Sequence, residues 1–211
     1  MKKKRFFIGV LASLLLIAAV GIFFAGRDDV LTEAQVQALR SEYPICDGVP
    51  PGMSVRKVAL QECVDSAESF VYAEATGEVG YYNVAVDLEN EELEEKRREN
   101  GIDDIYTFYE YTLTVLDDSE GVYQAGDTIT IAANALFEDY YPKLEEGMRV
   151  VVPVVTDEEA EGRCYYTVNG MYYVTGNGYA LSAFAQEPQT KSARQSGVRV
   201  ETLLNVLKKE Q

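Results

Sequence analysis

The sequence predicts a mainly β domain, a small β-barrel or closed sandwich of six to eight strands with short flanking helices, preceded by one transmembrane helix. Three observations carry this. Residues 6–26, FFIGVLASLLLIAAVGIFFAG, contain 21 residues with no charge and only Ser13 as a polar side chain. Beyond them, short segments alternate apolar and polar residues with period two, the pattern of half-buried strands. Turn signals separate these segments, including Gly77, Gly80, Asn169-Gly170 and Gly176-Asn177-Gly178.

At about 1.5 Å per residue, Phe6 to Gly26 is long enough to cross a hydrocarbon core of roughly 30 Å. The basic run Lys2, Lys3, Lys4 and Arg5 precedes it, and Arg27, Asp28 and Asp29 follow. The Lys/Arg bias therefore keeps residues 1–5 in the cytoplasm and sends the chain after the membrane segment outside. The alternative is a cleaved signal peptide, whose apolar region runs about 7 to 15 residues before a small-x-small site. Ala19-Val20-Gly21 is a weak site of that kind, and length favours a retained single-pass anchor over secretion. No Cys stands near the end of the run to accept a lipid.

Five of the 19 basic residues and none of the 35 acidic ones precede Asp28, which leaves 14 against 35, a net charge of −21 from Asp28 onward. Such a charge repels nucleic acid and anionic headgroups. About 180 residues form one domain with a sizeable core.

Residues 27–52 read as a helical linker region. Thr32 with Gln35 forms a capping box for a helix carrying Val36 and Leu39, which should stop near Tyr43-Pro44. Residues 53–211 read as the β domain. Ser54 to Ser66 predicts a second helix, and Phe70 to Thr76 a strand whose partner, beyond Gly77 and Gly80, is Tyr81 to Leu88. Glu89 to Asn100, ENEELEEKRREN, has Leu93 as its one apolar residue and reads as an exposed helix or a loop.

Ile105 to Leu116 is the best strand, with Ile105, Tyr109, Tyr111, Leu113 and Val115 on one face and Tyr106, Phe108, Glu110, Thr112 and Thr114 on the other. Thr128 to Ile131 returns with Ile129 and Ile131 inward. Met148 to Val155 is apolar enough for burial on both faces, with Pro153 marking an edge or a bulge. Asn169-Gly170 predicts a hairpin pairing Thr167 with Tyr172 and Tyr166 with Tyr173. Tyr179 to Phe184 is the last strand, and Val200, Leu203, Leu204 and Leu207 put an amphipathic helix over residues 198–209.

The chain contains no His, which removes every Ser-His and Cys-His pair. No phosphate-binding glycine loop is present, and no spacing singles out a pair of carboxylates. These readings predict a protein that is not an enzyme and has no cofactor or metal. Among Cys46, Cys63 and Cys164, export permits a Cys46–Cys63 disulfide around Gly48-Val49-Pro50-Pro51-Gly52; three buried thiols are the alternative.

The order of these features resembles a family: a helix ending Val64-Asp65-Ser66, the strand Phe70 to Thr76, a Tyr-rich strand leading to Gly126-Asp127-Thr128-Ile129, the turn Leu144-Glu145-Glu146-Gly147, and Gly178 to Phe184. It is similar to membrane-anchored or secreted proteins of Gram-positive, clostridia-like bacteria whose exported domain is an OB-like β-barrel of uncharacterised function. No catalytic residue comes with that resemblance.

The chain carries 15 Tyr and no Trp. Aromatics on a strand face hold sugars or extended peptides, or they form cross-strand pairs within the sheet. The expectation is a non-catalytic module of the cell envelope that binds a protein or glycan through Tyr106, Tyr165 and Tyr172. The alternative is a structural or regulatory subunit of a membrane complex that makes its contacts through Phe6–Gly26.

Overall fold

The computed structural model describes residues 30–56, 58–85, 90–101, 105–156, 162–185 and 195–208. The apolar run 6–26 lies outside the described residues, and no helix among the described residues is long and apolar enough to cross a membrane. The unit Leu31–Gln211 carries one eight-stranded mixed sheet and short helices. In chain order these are α1 (Glu33–Leu39), α2 (Leu60–Ser66), β1 (Ser69–Ala85), α3 (Glu91–Glu99), β2 (Ile105–Asp118), β3 (Thr128–Asn134), β4 (Arg149–Thr156), β5 (Cys164–Tyr166), β6 (Tyr172–Val174), β7 (Tyr179–Ser182), β8 (Val198–Arg199) and α4 (Val200–Val206).

Strands β1, β2 and β3 form an antiparallel meander. Strand β3 runs parallel to β5, through Ile131–Cys164 and Ala132–Tyr165. Strand β5 is antiparallel to β4, and β4 is antiparallel to the first half of β1. The order β1-β2-β3-β5-β4 therefore returns to β1, and five strands close on themselves. Closure removes the open edges along the paired stretches, which would otherwise template association. Strands β6, β7 and β8 extend the sheet outward from β4.

The first strand departs from expectation. Instead of a hairpin at Gly77 and Gly80, residues 69–85 form one continuous strand. Thr76, Gly77 and Glu78 are inserted between Ala75, opposite Leu113, and Val79, opposite Tyr111. Gly77 takes φ +85° there, and the Thr76 hydroxyl donates to Thr112 O at 3.0 Å. Glycine thus serves a bulge that bends the strand rather than a turn that reverses it. Residues 69–74 close the ring, while residues 79–85 run on along β2, the last three beyond the reach of β3 as a two-stranded ribbon.

Asn169-Gly170 also makes no hairpin. Strands β5 and β6 lie end to end along the same edge of β4: Tyr166 faces Val154, and Tyr172 faces Val151. Asn169-Gly170 is the step between them, with Met171 N–H bonded to Val168 O at 3.1 Å. Pro153 accounts for the step. Val154 O accepts from Glu68 N–H at 2.8 Å on the β1 side, so the adjacent Pro153 nitrogen faces the β5/β6 edge, where it has no hydrogen to donate. Gly170 packs tightly there, because a Cβ on it would stand 3.3 Å from Cys63 Cβ and 3.4 Å from Pro153 Cγ.

Strand β4 is buried on both faces, as its composition predicts. Val150, Val152 and Val154 enter the barrel core with Tyr109, Leu113, Val115, Ile131 and Tyr173. Val151 enters a second core with Phe70, Tyr172, Val64 of α2 and Leu203 and Leu204 of α4. Val200, Leu203, Leu204 and Leu207 are all buried, so the C-terminal helix covers its own sheet. Helix α1 begins at the expected capping box, with Thr32 N–H donating to Gln35 Oε1 at 2.8 Å. Helix α3 is largely exposed and capped by Asn90, its one buried residue being Arg97 beside Glu94.

All three cysteines are free, so the Cys46–Cys63 disulfide is not formed. The two thiols serve different cores: Cys46 packs beside Tyr173 in the first and Cys63 joins Tyr172 in the second. Neighbouring residues of a strand point to opposite faces, so the sheet separates the two sulfurs. The Cys63 thiol bonds Asn169 O at 3.3 Å, and burial pushes it up to about 11. A thiol titration of the unfolded, unreduced protein should therefore find three reactive groups per chain; a single one would restore the disulfide.

Candidate functional site

Of the three tyrosines expected at a site, the structure brings two to one face and removes the third. Tyr172 is fully buried (0% exposed) in the core beneath α4. Its strand is covered on that face by helices, which strand alternation alone does not reveal. Tyr106 is exposed and Tyr165 half-buried, and the register explains how they meet. Tyr109, Tyr111 and Leu113 point into the barrel, so Tyr106, Phe108 and Glu110 point outward from β2. Across the ladders Phe108 lies opposite Tyr82, and Glu110 lies opposite Ala132, itself paired with Tyr165.

The result is an aromatic strip across the outer face of β1, β2 and β5. The Tyr82 and Phe108 rings stack at 5.4 Å with a 16° interplanar angle, and Phe108 meets Tyr165 at 5.6 Å and 59°. The Arg163 guanidinium lies 4.3 Å from the centroid of the Tyr82 ring and donates through Nε to Glu110 Oε2 at 2.6 Å. Gly80 makes the room: a Cβ there would stand 2.6 Å from Glu110 Oε1. Glu110 and Arg163 are each about one-fifth exposed, so the pair holds the arginine flat over the ring and cancels its charge. The strip thus presents aromatic edges and faces beside a neutralised polar pair. Sequence reading placed Tyr106, Phe108 and Glu110 on one face, but Tyr82 and Arg163 join them only through the bent β1 and the parallel β3–β5 pairing.

A second concavity, of about 1000 Å³, opens between residues 41–48 and residues 139–149, with Tyr173 at its base. The Tyr43 and Tyr173 rings meet at 5.6 Å. Cys46 N–H bonds Ala183 O at 2.7 Å, and Arg40 Nη1 bonds Ser182 O at 2.8 Å, which pins this wall to β7 and the residue after it. Burial and the neighbouring Glu42 carboxylate push the Tyr43 phenol up to about 12. No sequence motif announces this cleft, because its two walls lie about a hundred residues apart.

Among the described residues no group of three or more Cys, Asp or Glu side chains is arranged to hold a metal ion. No protein-family model matches the sequence, and no curated protein matches it.

Proposed function

We propose that this chain is a non-catalytic binding module of the cell envelope, tethered by Phe6–Gly26, whose OB-like barrel holds a neutral glycan against the strip formed by Tyr106, Tyr82, Phe108 and Tyr165. The observation that carries the reading is the strip itself, with the Arg163–Glu110 pair built into it at 2.6 Å. Aromatic rings offer apolar faces to the C–H surfaces of a sugar ring, and the paired arginine and glutamate supply polar atoms for its hydroxyls. The five-strand ring with parallel β3 and β5 supports the OB-like assignment, and in such barrels the face of strands 2 and 3 receives oligosaccharides or oligonucleotides. The charge of −21 from Asp28 onward disfavours the nucleotide polymer and leaves the sugar.

The test is retention of the purified full chain on insoluble envelope polysaccharide. Tyr106→Ala and Tyr165→Ala should each weaken retention by about tenfold, the loss typical of a central aromatic contact. Unchanged retention of both variants, with an unaltered melting temperature, refutes the strip as the binding face.

A further inference from the structure

The cleft between the segment that follows α1 and the β3–β4 connection is chemically unlike the strip. Its walls repeat one theme, Glu42-Tyr43-Pro44 on one side and Tyr140-Tyr141-Pro142 on the other, with Tyr173 between them. The walls touch where Gly48 meets Tyr140, at a point where a Cβ would stand 2.6 Å from the ring. Beyond that contact the space is about 1000 Å³, at the upper end of the range that takes a small molecule or several residues of a peptide.

Its charges are unbalanced. Glu42, Asp47, Asp139, Glu145 and Glu146 line the cleft, against Lys143 and Arg149. Both cations are engaged, Lys143 by Asp139 at 2.9 Å and Arg149 by Glu74, outside the lining, at 2.7 Å. Arg40 stands nearby, but its Nη1 donates to the main-chain carbonyls of Tyr43 and Ser182. Asp47 accepts one main-chain N–H, that of Ala185, at 3.1 Å, and Glu145 and Glu146 are exposed on the turn before β4. Among the lining residues Tyr173 is buried and Tyr43, Tyr140 and Tyr141 are half-buried, while Glu42, Glu145 and Glu146 are exposed. Ring faces attract a cation and lie well against methylene groups, and the carboxylates offset its charge.

We propose that this cleft binds an alkylammonium group, a methylene stem lying on the tyrosine rings and ending in a protonated primary amine among Glu42, Glu145 and Glu146. A free diamine and a lysine side chain in a peptide carry the same chemistry, and the experiment separates them. The proposal is independent of the glycan reading, which concerns the opposite chemistry on another face.

The chain offers its own reporter. It contains four methionines, of which Met148 lines the cleft and accepts the Glu145 N–H at 3.2 Å, Met53 is exposed away from it and Met171 is fully buried. Full-length protein labelled at its methionine methyl groups and held in neutral detergent is titrated with cadaverine, with a blocked Gly-Lys-Gly peptide, and with 1-pentanol as an uncharged stem. The expected result is a saturable shift of the Met148 methyl with cadaverine, the peptide or both, and none with pentanol. A response to the diamine alone identifies a free amine as the ligand, and a response to the peptide identifies lysine. Glu145→Gln with Glu146→Gln should weaken the response by about fivefold, the effect of removing two partly exposed charges. Glu91→Gln with Glu92→Gln removes the same charge from α3 and should leave it unchanged. The proposal is overturned if Met148 responds to neither amine, if pentanol shifts it equally, or if both double variants lose the response alike.

Discussion

Above about pH 10 the protein should lose stability steeply, because folding holds a set of tyrosines in the protonated state. Burial raises Tyr109, Tyr166 and Tyr173 above the ordinary tyrosine value, and these three are 1%, 9% and 2% exposed. Tyr109 and Tyr166 share a hydrogen bond at 3.0 Å inside the barrel; it raises Tyr166 and lowers Tyr109, so burial is what keeps both phenols neutral. The sign follows from linkage. The unfolded chain releases these protons near pH 10 while the folded chain keeps them, so stability is complete below that pH and falls as pH rises through the folded values. One pH unit above the unfolded value withdraws about 1.4 kcal/mol per buried tyrosine, or about 4 kcal/mol for three, a large part of the 5–15 kcal/mol typical of a domain. A series of thermal melts between about pH 8 and pH 11 should show a falling midpoint, with most tyrosinate absorbance appearing in step with unfolding. Ionisation of all 15 tyrosines at the ordinary value with a constant midpoint would contradict the buried cluster.

The second large effect separates two tyrosines that look alike in the sequence. Tyr172→Ala should cost about 3–5 kcal/mol, the range for deleting a large buried aromatic ring. Its ring is fully buried among Phe70, Val151, Leu203 and Leu204. Tyr106→Ala, on the exposed ribbon, should cost less than about 1 kcal/mol. Urea unfolding of the two variants reads the difference directly. Equal costs would mean that α4 does not cover β6.

The contrast shows how far local pattern reaches. Alternation in Ile105 to Leu116 identified the buried and outward faces of β2, and the spacing of Val200, Leu203, Leu204 and Leu207 identified a docked helix, because each pattern records burial along a single element. The Thr32–Gln35 cap was legible for the same reason. Glycine was less informative: Gly77 and Asn169-Gly170 marked departures from regular geometry, yet one proved a bulge and the other a step along β4. A positive φ states that the backbone bends without stating what the chain pairs with afterwards. Tyr172 looked like the exposed Tyr106 because nothing within its strand reports a helix arriving from the far end of the chain.

Composition and short-range period establish the mainly β class, most strand positions and faces, the acidic character of the domain, and the absence of histidine chemistry. The folded chain alone fixes the closure of five strands through β1–β4 and β3–β5, the separation of Cys46 from Cys63, the meeting of Tyr82 with Arg163, and the cleft between residues 41–48 and 139–149. Those depend on pairings between residues far apart in the chain, whose register is set by the summed packing of two cores rather than by any segment alone.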